Sequence, residues 1–313
     1  MVEGEAMDNL TVGVFHDEAL ARELGKKGTA SDLLMFNRKT DTRVFTFVAP
    51  AADKIGVKAE IGAMIDCAVV SAAVISAEFG ETVLLLDAMG ITDGVLVLPL
   101  FADRDHVAKM VKGTVLAKYH VMENKPMDLL QYLSSMTKVR DSSLPVVVSV
   151  DHSFSVKGVG EVVLGLVRQG TVRRHDKLRL LPADKDVQVR SIQMQDEDFA
   201  EAGAGSRVGL LIKDAVVDEM RRGSLLCAPG VAQLTNKVVL QFTRNPFYPE
   251  LKAGLFHCAV GEQVVPALVT PQDGTVTVEL EKPVCFTPSE PFLLLDLNAK
   301  KMHLIGRGTV ITS

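Results

Sequence analysis

Four cysteines in 313 residues, Cys67, Cys227, Cys258 and Cys285, stand far apart with no CxxC spacing. That scatter argues against a zinc cage or a disulfide framework and suits a reducing, cytoplasmic setting. No uninterrupted apolar run reaches the 18 or more residues that a membrane span needs, so no membrane partner is expected. The opening MVEGEAMDNL is acidic and short of apolar residues, unlike a signal peptide. A basic excess is missing too: the formal net charge is −5. Lys and Arg number 15 against 20 Asp and Glu in residues 1–144, 12 against 12 in 145–230, and 7 against 7 in 231–313. Bulk attraction to DNA is thereby excluded, and RNA binding would need local basic patches. GxSxG and HExxH are both absent, so hydrolase and zinc-protease chemistry finds no foothold. His16-Asp17 has the look of a catalytic pair, but no nucleophile stands near it in sequence.

With 47% hydrophobic residues and this length, two or three domains with ample cores are expected. The first 143 residues alternate strands and helices. Leu10–Phe15, Arg43–Val48, Cys67–Ile75 and Gly94–Leu100 read as strands, with another across Val115–Met122. Glu18–Leu24, Thr82–Gly90, Asp105–Lys112 and Met127–Thr137 have helical spacing. That alternation predicts a doubly wound parallel sheet covered on both faces. Asp141-Ser142-Ser143 and Pro145 suit a linker. From residue 144 to 230 the pattern changes to short β runs divided by glycines, as in a barrel. Residues 231–313 read as a second β-barrel, with Pro283 and Pro288 in loops or on edge strands.

A phosphate-binding loop would belong after the first strand, where glycines free backbone N–H groups to cradle phosphates ahead of a lysine and a hydroxyl. Counting GxxxxGK[ST] from Gly13 puts Glu18 at the second glycine, Ala19 at the lysine and Leu20 at the hydroxyl. Asp17 and Glu18 would bring negative charge to where the β- and γ-phosphates should lie. Gly25-Lys26-Lys27-Gly28-Thr29 has the right residue types but not the spacing, and reads as a polar loop. After FTFV stands Ala49-Pro50-Ala51-Ala52 in place of DxxG. After GVLVL stands Pro99-Leu100-Phe101-Ala102 in place of NKxD, with Asp103 one position late. All three nucleotide elements fail together.

Residues 144–230 resemble the second domain of elongation factor Tu and, more closely, of SelB-type factors. The resemblance rests on DHSFSVKGVGEVVLG, GTVRRHDKLRLLP, VRSIQMQDEDFAEAGAGSRVGLLIK and RRGSLLCAPG. The C-terminal unit is similar to the third domain of those factors through PVCFTPSEPFLLLDL and IGRGTVI. LGKKGTASDLLMFN and GTVLAKYHVMENKPMDLL resemble SelB-like paralogues of methanogenic archaea. The resemblance implies a degenerate P-loop GTPase-like α/β domain over 1–143, followed by two β-barrels over 144–230 and 231–313. It also implies tRNA or aminoacyl-tRNA as partner, with the ribosome behind it, and GTP with magnesium as cofactors only if the family activity survives. Otherwise no cofactor is expected.

Carried over residue by residue, Asp151 and His152 stand at the Asp-His of the SelB pattern, and Arg221 and Arg222 at its basic pair before glycine. With Lys157 they form the expected RNA-binding set, since guanidinium pairs with phosphate and imidazole can bond or stack on a base. His152 packed at a barrel rim, Asp151 as a turn residue, and Lys157, Arg173 and Arg174 as solvated surface are the plainer alternatives. Asp196-Glu197-Asp198 reads as a solvent-facing loop. Three functions stay open: an RNA-binding translation-factor paralogue without a GTP clock, a pseudo-GTPase scaffold for protein contacts, and a residual GTPase with an atypical loop.

Overall fold

A computed structural model describes residues 8–311; residues 1–7, and with them most of the segment weighed above against a signal peptide, lie outside the described residues. The first unit runs β1 (Asp8–Phe15), α1 (Glu18–Leu24), β2 (Lys26–Ala30), β3 (Leu33–Lys39), β4 (Arg43–Pro50), α2 (Ile55–Met64), β5 (Cys67–Ser71), α3 (Ala77–Met89), β6 (Gly94–Leu98), α4 (Arg104–Val111), β7 (His120–Glu123) and α5 (Pro126–Ser135). They form one seven-stranded sheet in the order β2-β3-β4-β1-β5-β6-β7. From β4 to β7 it is parallel, while β2 and β3 form an antiparallel edge. Strands buried on both faces read as near-continuous apolar runs; β6 is one throughout, and β4 and β5 are broken only by buried Arg43, Thr46 and Ser71. One core gathers Phe15, Val48 and Phe79, the other Val14, Phe45, Phe47 and Leu129.

Three sequence expectations change here. Gly25–Thr29 is not a loop, because β2 begins at Lys26 and pairs with β3. α2 lies where no helix was expected. Its residues are apolar nearly all round, so the pattern lacks the one-sided stripe that marks a surface helix. The expected strand over Val115–Met122 divides into a 3-10 turn, Val115–Lys118, and β7.

The second unit holds β8 (Val147–Val156), β9 (Gly160–Gln169), β10 (Thr171–Arg173), β11 (Lys177–Leu181), β12 (Lys185–Met194), β13 (Glu197–Phe199), β14 (Glu201–Gly203), β15 (Arg207–Lys213) and β16 (Leu225–Cys227). The order β11-β16-β8-β9-β15-β12 closes through β11–β12 into a six-stranded barrel, and β10 with β14 makes a side ribbon. The acidic run at Asp196–Asp198 turns out to be the hairpin into β13. The third unit holds β17 (Gln233–Arg244), β18 (Gly254–Val260), β19 (Gln263–Gln272), β20 (Thr275–Phe286), β21 (Phe292–Leu295) and β22 (Leu304–Val310), closed in the order β17-β20-β19-β18-β21-β22. Pro283 lies within β20, in a stretch where pairing to β17 jumps register from Lys237–Glu279 to Thr235–Val284. There its missing N–H interrupts no ladder bond.

The three units pack on one another. Ile55, Ala59 and Leu85 of the α/β unit meet Ala259, Leu293 and Leu304 of the third unit. Buried Glu81 of α3 accepts from the Leu304 N–H at 3.2 Å and faces His303 Nδ1 at 3.0 Å. The two barrels share an apolar seam of Val147, Leu225, Cys227 and Cys285. Arg140, in the segment joining the first two units, forks onto both oxygens of Asp66 at 2.7 and 2.9 Å. No helix among the described residues is long and apolar enough to cross a membrane.

Candidate functional site

The tip of β1 is where this sheet order would present a nucleotide. β1 runs on through Phe15 and α1 begins at Glu18, so only His16 and Asp17 remain between strand and helix. A phosphate cradle needs four residues between its glycines. Here the strand has absorbed Gly13, Val14 and Phe15, and the helix has already started at Glu18. Gly13 is a packing glycine: a Cβ there would lie 2.7 Å from Ile65 Cδ1 and 2.8 Å from the Phe15 ring. His16 makes the turn with φ +64°, in the left-handed region that histidine visits only occasionally. Asp17 caps the helix, its Oδ1 accepting from the Leu20 N–H at 2.9 Å. Its carboxylate therefore takes the end of the helix that would otherwise attract a phosphate. Ala19 is exposed and Leu20 is buried in the core behind the turn.

Behind this turn sits a polar cluster that the sequence did not announce. Lys58 is 2% exposed, ion-paired with Asp53, and donates to Thr82 Oγ1 at 2.9 Å. Thr82 in turn donates to the Glu78 carbonyl at 2.9 Å. His16 Nε2 lies 2.9 Å from the same hydroxyl oxygen. With the Thr82 proton already committed to Glu78, His16 must donate through Nε2, which leaves Nδ1 with its lone pair. Burial first and the Lys58 charge second hold the His16 pKa below its usual range, in keeping with a neutral ring. A cavity of about 180 Å³ opens here, lined by His16, Asp17, Glu18, Ala51, Asp53 and Lys58 among others. Small-molecule pockets usually run to about 300–1,000 Å³. At the next tips, Pro99-Leu100-Phe101 is open to solvent and Asp103 caps α4 through the His106 N–H at 3.0 Å.

The five residues read as RNA-binding are dispersed by the fold. A β-bulge falls at Asp151: Val150 pairs with Gly165 and His152 with Leu164, leaving Asp151 unpaired on β8. Asp151 is thereby buried, and both of its oxygens are held by Arg207. His152 faces outward, its ring 5.8 Å from that of Phe154, which is also exposed. The bond from Gly223 N–H to the Val150 carbonyl at 2.9 Å runs the following segment alongside β8. Arg221 is exposed at the start of the turn that leads into β16, its Nε donating to the Asp218 carbonyl at 2.9 Å. Lys157 is in the hairpin turn after β8, about 16 Å along the strand from His152 at 3.3 Å per residue. Arg222 turns the other way. Its guanidinium bonds Asp32 at 2.7 Å, Ser31 at 2.9 Å and Glu60 at 3.2 Å, all in the α/β unit.

Gly223, with φ +82°, permits that crossing; a Cβ there would meet Gln263 Cγ at 2.4 Å and the Glu262 carbonyl oxygen at 2.9 Å. Glu262 itself is buried where the two barrels meet, and burial raises its pKa to about 7. Glu60 is likewise pushed up to about 7 by burial, against the pull of Arg222. His152 with Phe154, and Arg221 separately, are thus exposed on the barrel, while Asp151 and Arg222 brace it from within.

A sequence profile described as elongation factor Tu domain 2 matches residues 160–227. Over 163 residues the chain is 31% identical to the selenocysteine-specific elongation factor of Methanocaldococcus jannaschii, covering 50% of the chain and 34% of that factor. An uncharacterized protein of the same organism is 35% identical over 308 residues, 96% of this chain and 99% of that one. This chain belongs to the SelB-like translational GTPase family. A solved SelB from Methanococcus maripaludis, in complex with the GTP analogue GppNHp, superimposes with a TM-score of 0.83 at 22% identity. That superposition covers 99% of the SelB-like chain and 80% of the solved one, and it shows the shared three-unit fold. The selenocysteine-specific factor is about three times as long as the stretch it shares with this family member.

Proposed function

We propose that this translation-factor paralogue grips the acylated 3′ end of a tRNA and has lost GTP binding and hydrolysis. The loss is carried by one observation: the two-residue turn between β1 and α1, closed by the Asp17 carboxylate. No cradle of N–H groups stands there, the one lysine lining the cavity, Lys58, is buried and already paired with Asp53, and what a triphosphate would meet is Asp17, Glu18 and Asp53. The magnesium chemistry of the family has no counterpart in this proposal, because Ala19 and Leu20 hold the lysine and hydroxyl positions. The RNA grip draws on His152 and Phe154 as a stacking pair and on Arg221 and Lys157 as phosphate contacts. Asp151 and Arg222 act indirectly, holding the bulge of β8 and the barrel's seat on the α/β unit.

Filter binding of labelled aminoacyl-tRNA at graded salt tests the grip. Affinity should fall as salt rises, since each neutralised phosphate releases counterions. His152→Ala with Arg221→Ala should weaken binding by about 1–3 kcal/mol if base stacking and a phosphate contact are both lost. No binding even at low salt sinks the RNA reading. Calorimetry with GTP and magnesium tests the other half, and micromolar binding would reinstate the nucleotide.

A further inference from the structure

The carboxyl edge of the parallel sheet carries features that neither a nucleotide nor an RNA explains. Val74 at the end of β5, and Leu100 and Phe101 at the end of β6, are 71%, 67% and 94% exposed. Three large apolar side chains on adjacent strand tips are costly to leave in water, and contiguous exposed apolar surface marks interaction sites. Around them the sequence places carboxylates. Residues 16–19, 50–58, 72–80, 99–106 and 123–128, the tips and the first helical turns behind them, hold eight acidic side chains against four basic ones. One of the four, Lys58, is buried and already paired with Asp53. Two strands away, the cavity beside His16 is lined by a ring nitrogen with its lone pair and by the carboxylates of Asp17, Glu18 and Asp53, which already accept from the Leu20 N–H, Arg22 and Lys58 respectively and keep further lone pairs.

We infer that this edge is a docking surface for a basic, apolar-bearing segment of a partner protein, with one Lys or Arg side chain entering the His16 cavity. The inference rests on the reading that no nucleotide occupies the edge. Charge selects the partner's sign, since a phosphate backbone would be repelled here. Geometry sets the spacing: β1 and β6 are separated by β5, so cavity and Phe101 lie about 10 Å apart at 4.8 Å per strand. A segment in the polyproline II conformation, with three residues per turn and about 3.1 Å per residue, spans that distance in about three residues and returns to the same face. The cation and the apolar side chain of the partner therefore sit three positions apart. The cavity holds one side chain, which gives a single anchoring contact flanked by apolar ones.

The test uses the full chain, isotopically labelled, titrated at low salt with the blocked peptide Lys-Ala-Ala-Phe-Leu-Lys. Two controls accompany it, one with Glu for each Lys and one with Ser for Phe and Leu. Amide shifts confined to residues 16–18, 51–53, 73–75 and 99–103 are expected. Both controls, and the surface variant Leu100→Ser with Phe101→Ser, should bind about ten-fold more weakly or worse. Equal binding of the acidic peptide, shifts confined to the barrels, or no shift at all overturns the docking surface. So does self-association by sedimentation that the double variant abolishes, since a second copy would then be the occupant. A parallel titration with GppNHp and magnesium separates the two failures. If the analogue shifts the same amides, the reading of a lost nucleotide fails; if neither probe does, the docking surface alone fails.

Discussion

Glu262 is 4% exposed, and its carboxylate oxygens make no well-formed hydrogen bond among the described residues, with only the Ser149 hydroxyl and the Arg168 and Arg222 charges near enough to offset part of the burial. A buried carboxylate so poorly partnered is far costlier ionised than protonated. The folded chain therefore keeps its proton to about pH 7, while an unconstrained glutamate loses it near 4.5. Between those values the folded state binds a proton that the unfolded state has released, so stability falls as pH rises through this window. Glu60 contributes in the same direction, with the same upper limit. The Glu262 penalty above pH 7 is on the order of 3 kcal/mol. Glu262→Gln should raise the denaturation midpoint at pH 8, leave it nearly unchanged at pH 4.5, and flatten the profile between. An identical pH profile for wild type and variant in thermal melts would contradict this account.

At the scale of elements, the β1–α1 turn and the Arg222 crossing decide most. Asp17→Ala removes a helix cap and should cost about 1 kcal/mol in chemical denaturation. Writing the missing motif back by substitution, Glu18→Gly with Ala19→Lys and Leu20→Thr, should not create GTP binding. The helix already begins at Glu18, so no loop exists for those residues to shape, and Leu20 belongs to the core. Calorimetry showing nucleotide binding by that triple variant would refute the geometric argument. Arg222→Ala strands Glu60, half-buried, without its cation. Since Asp32 is itself half exposed, the loss should be about 1–3 kcal/mol. Small-angle scattering should then detect a loosened seat between the first barrel and the α/β unit.

For the whole molecule, four cores and two apolar seams make the arrangement of units a property of packing. His303 and Leu304 reach Glu81 from 222 and 223 residues away in sequence. Arg168 of the first barrel pairs with Glu290 of the second. RNA bound across more than one unit should order them together. Aminoacyl-tRNA should therefore raise the melting temperature of the whole chain in one transition, and a shift confined to one of several resolved transitions would argue for a single-barrel contact.

What the sequence by itself determined was everything carried by short-range pattern. Apolar runs specified four strands of the α/β unit, β1, β4, β5 and β6, but not β3, glycine-punctuated β runs specified the barrels, and the missing lysine and hydroxyl after Gly13 were legible residue by residue. α2 was hidden because a helix buried on several sides has no polar face to give its period away. β2 was hidden because lysines and a glycine read as loop until β3 lies beside them. The site was decided by tertiary structure. Asp151 and His152 are neighbours in the chain, yet one extra residue on β8 sends the first inward to Arg207 and the second out to solvent. Arg221 and Arg222 part in the same way, and nothing local distinguishes them, because the carboxylates that claim Arg222 come from the bend between β2 and β3 and from α2, more than a hundred residues earlier.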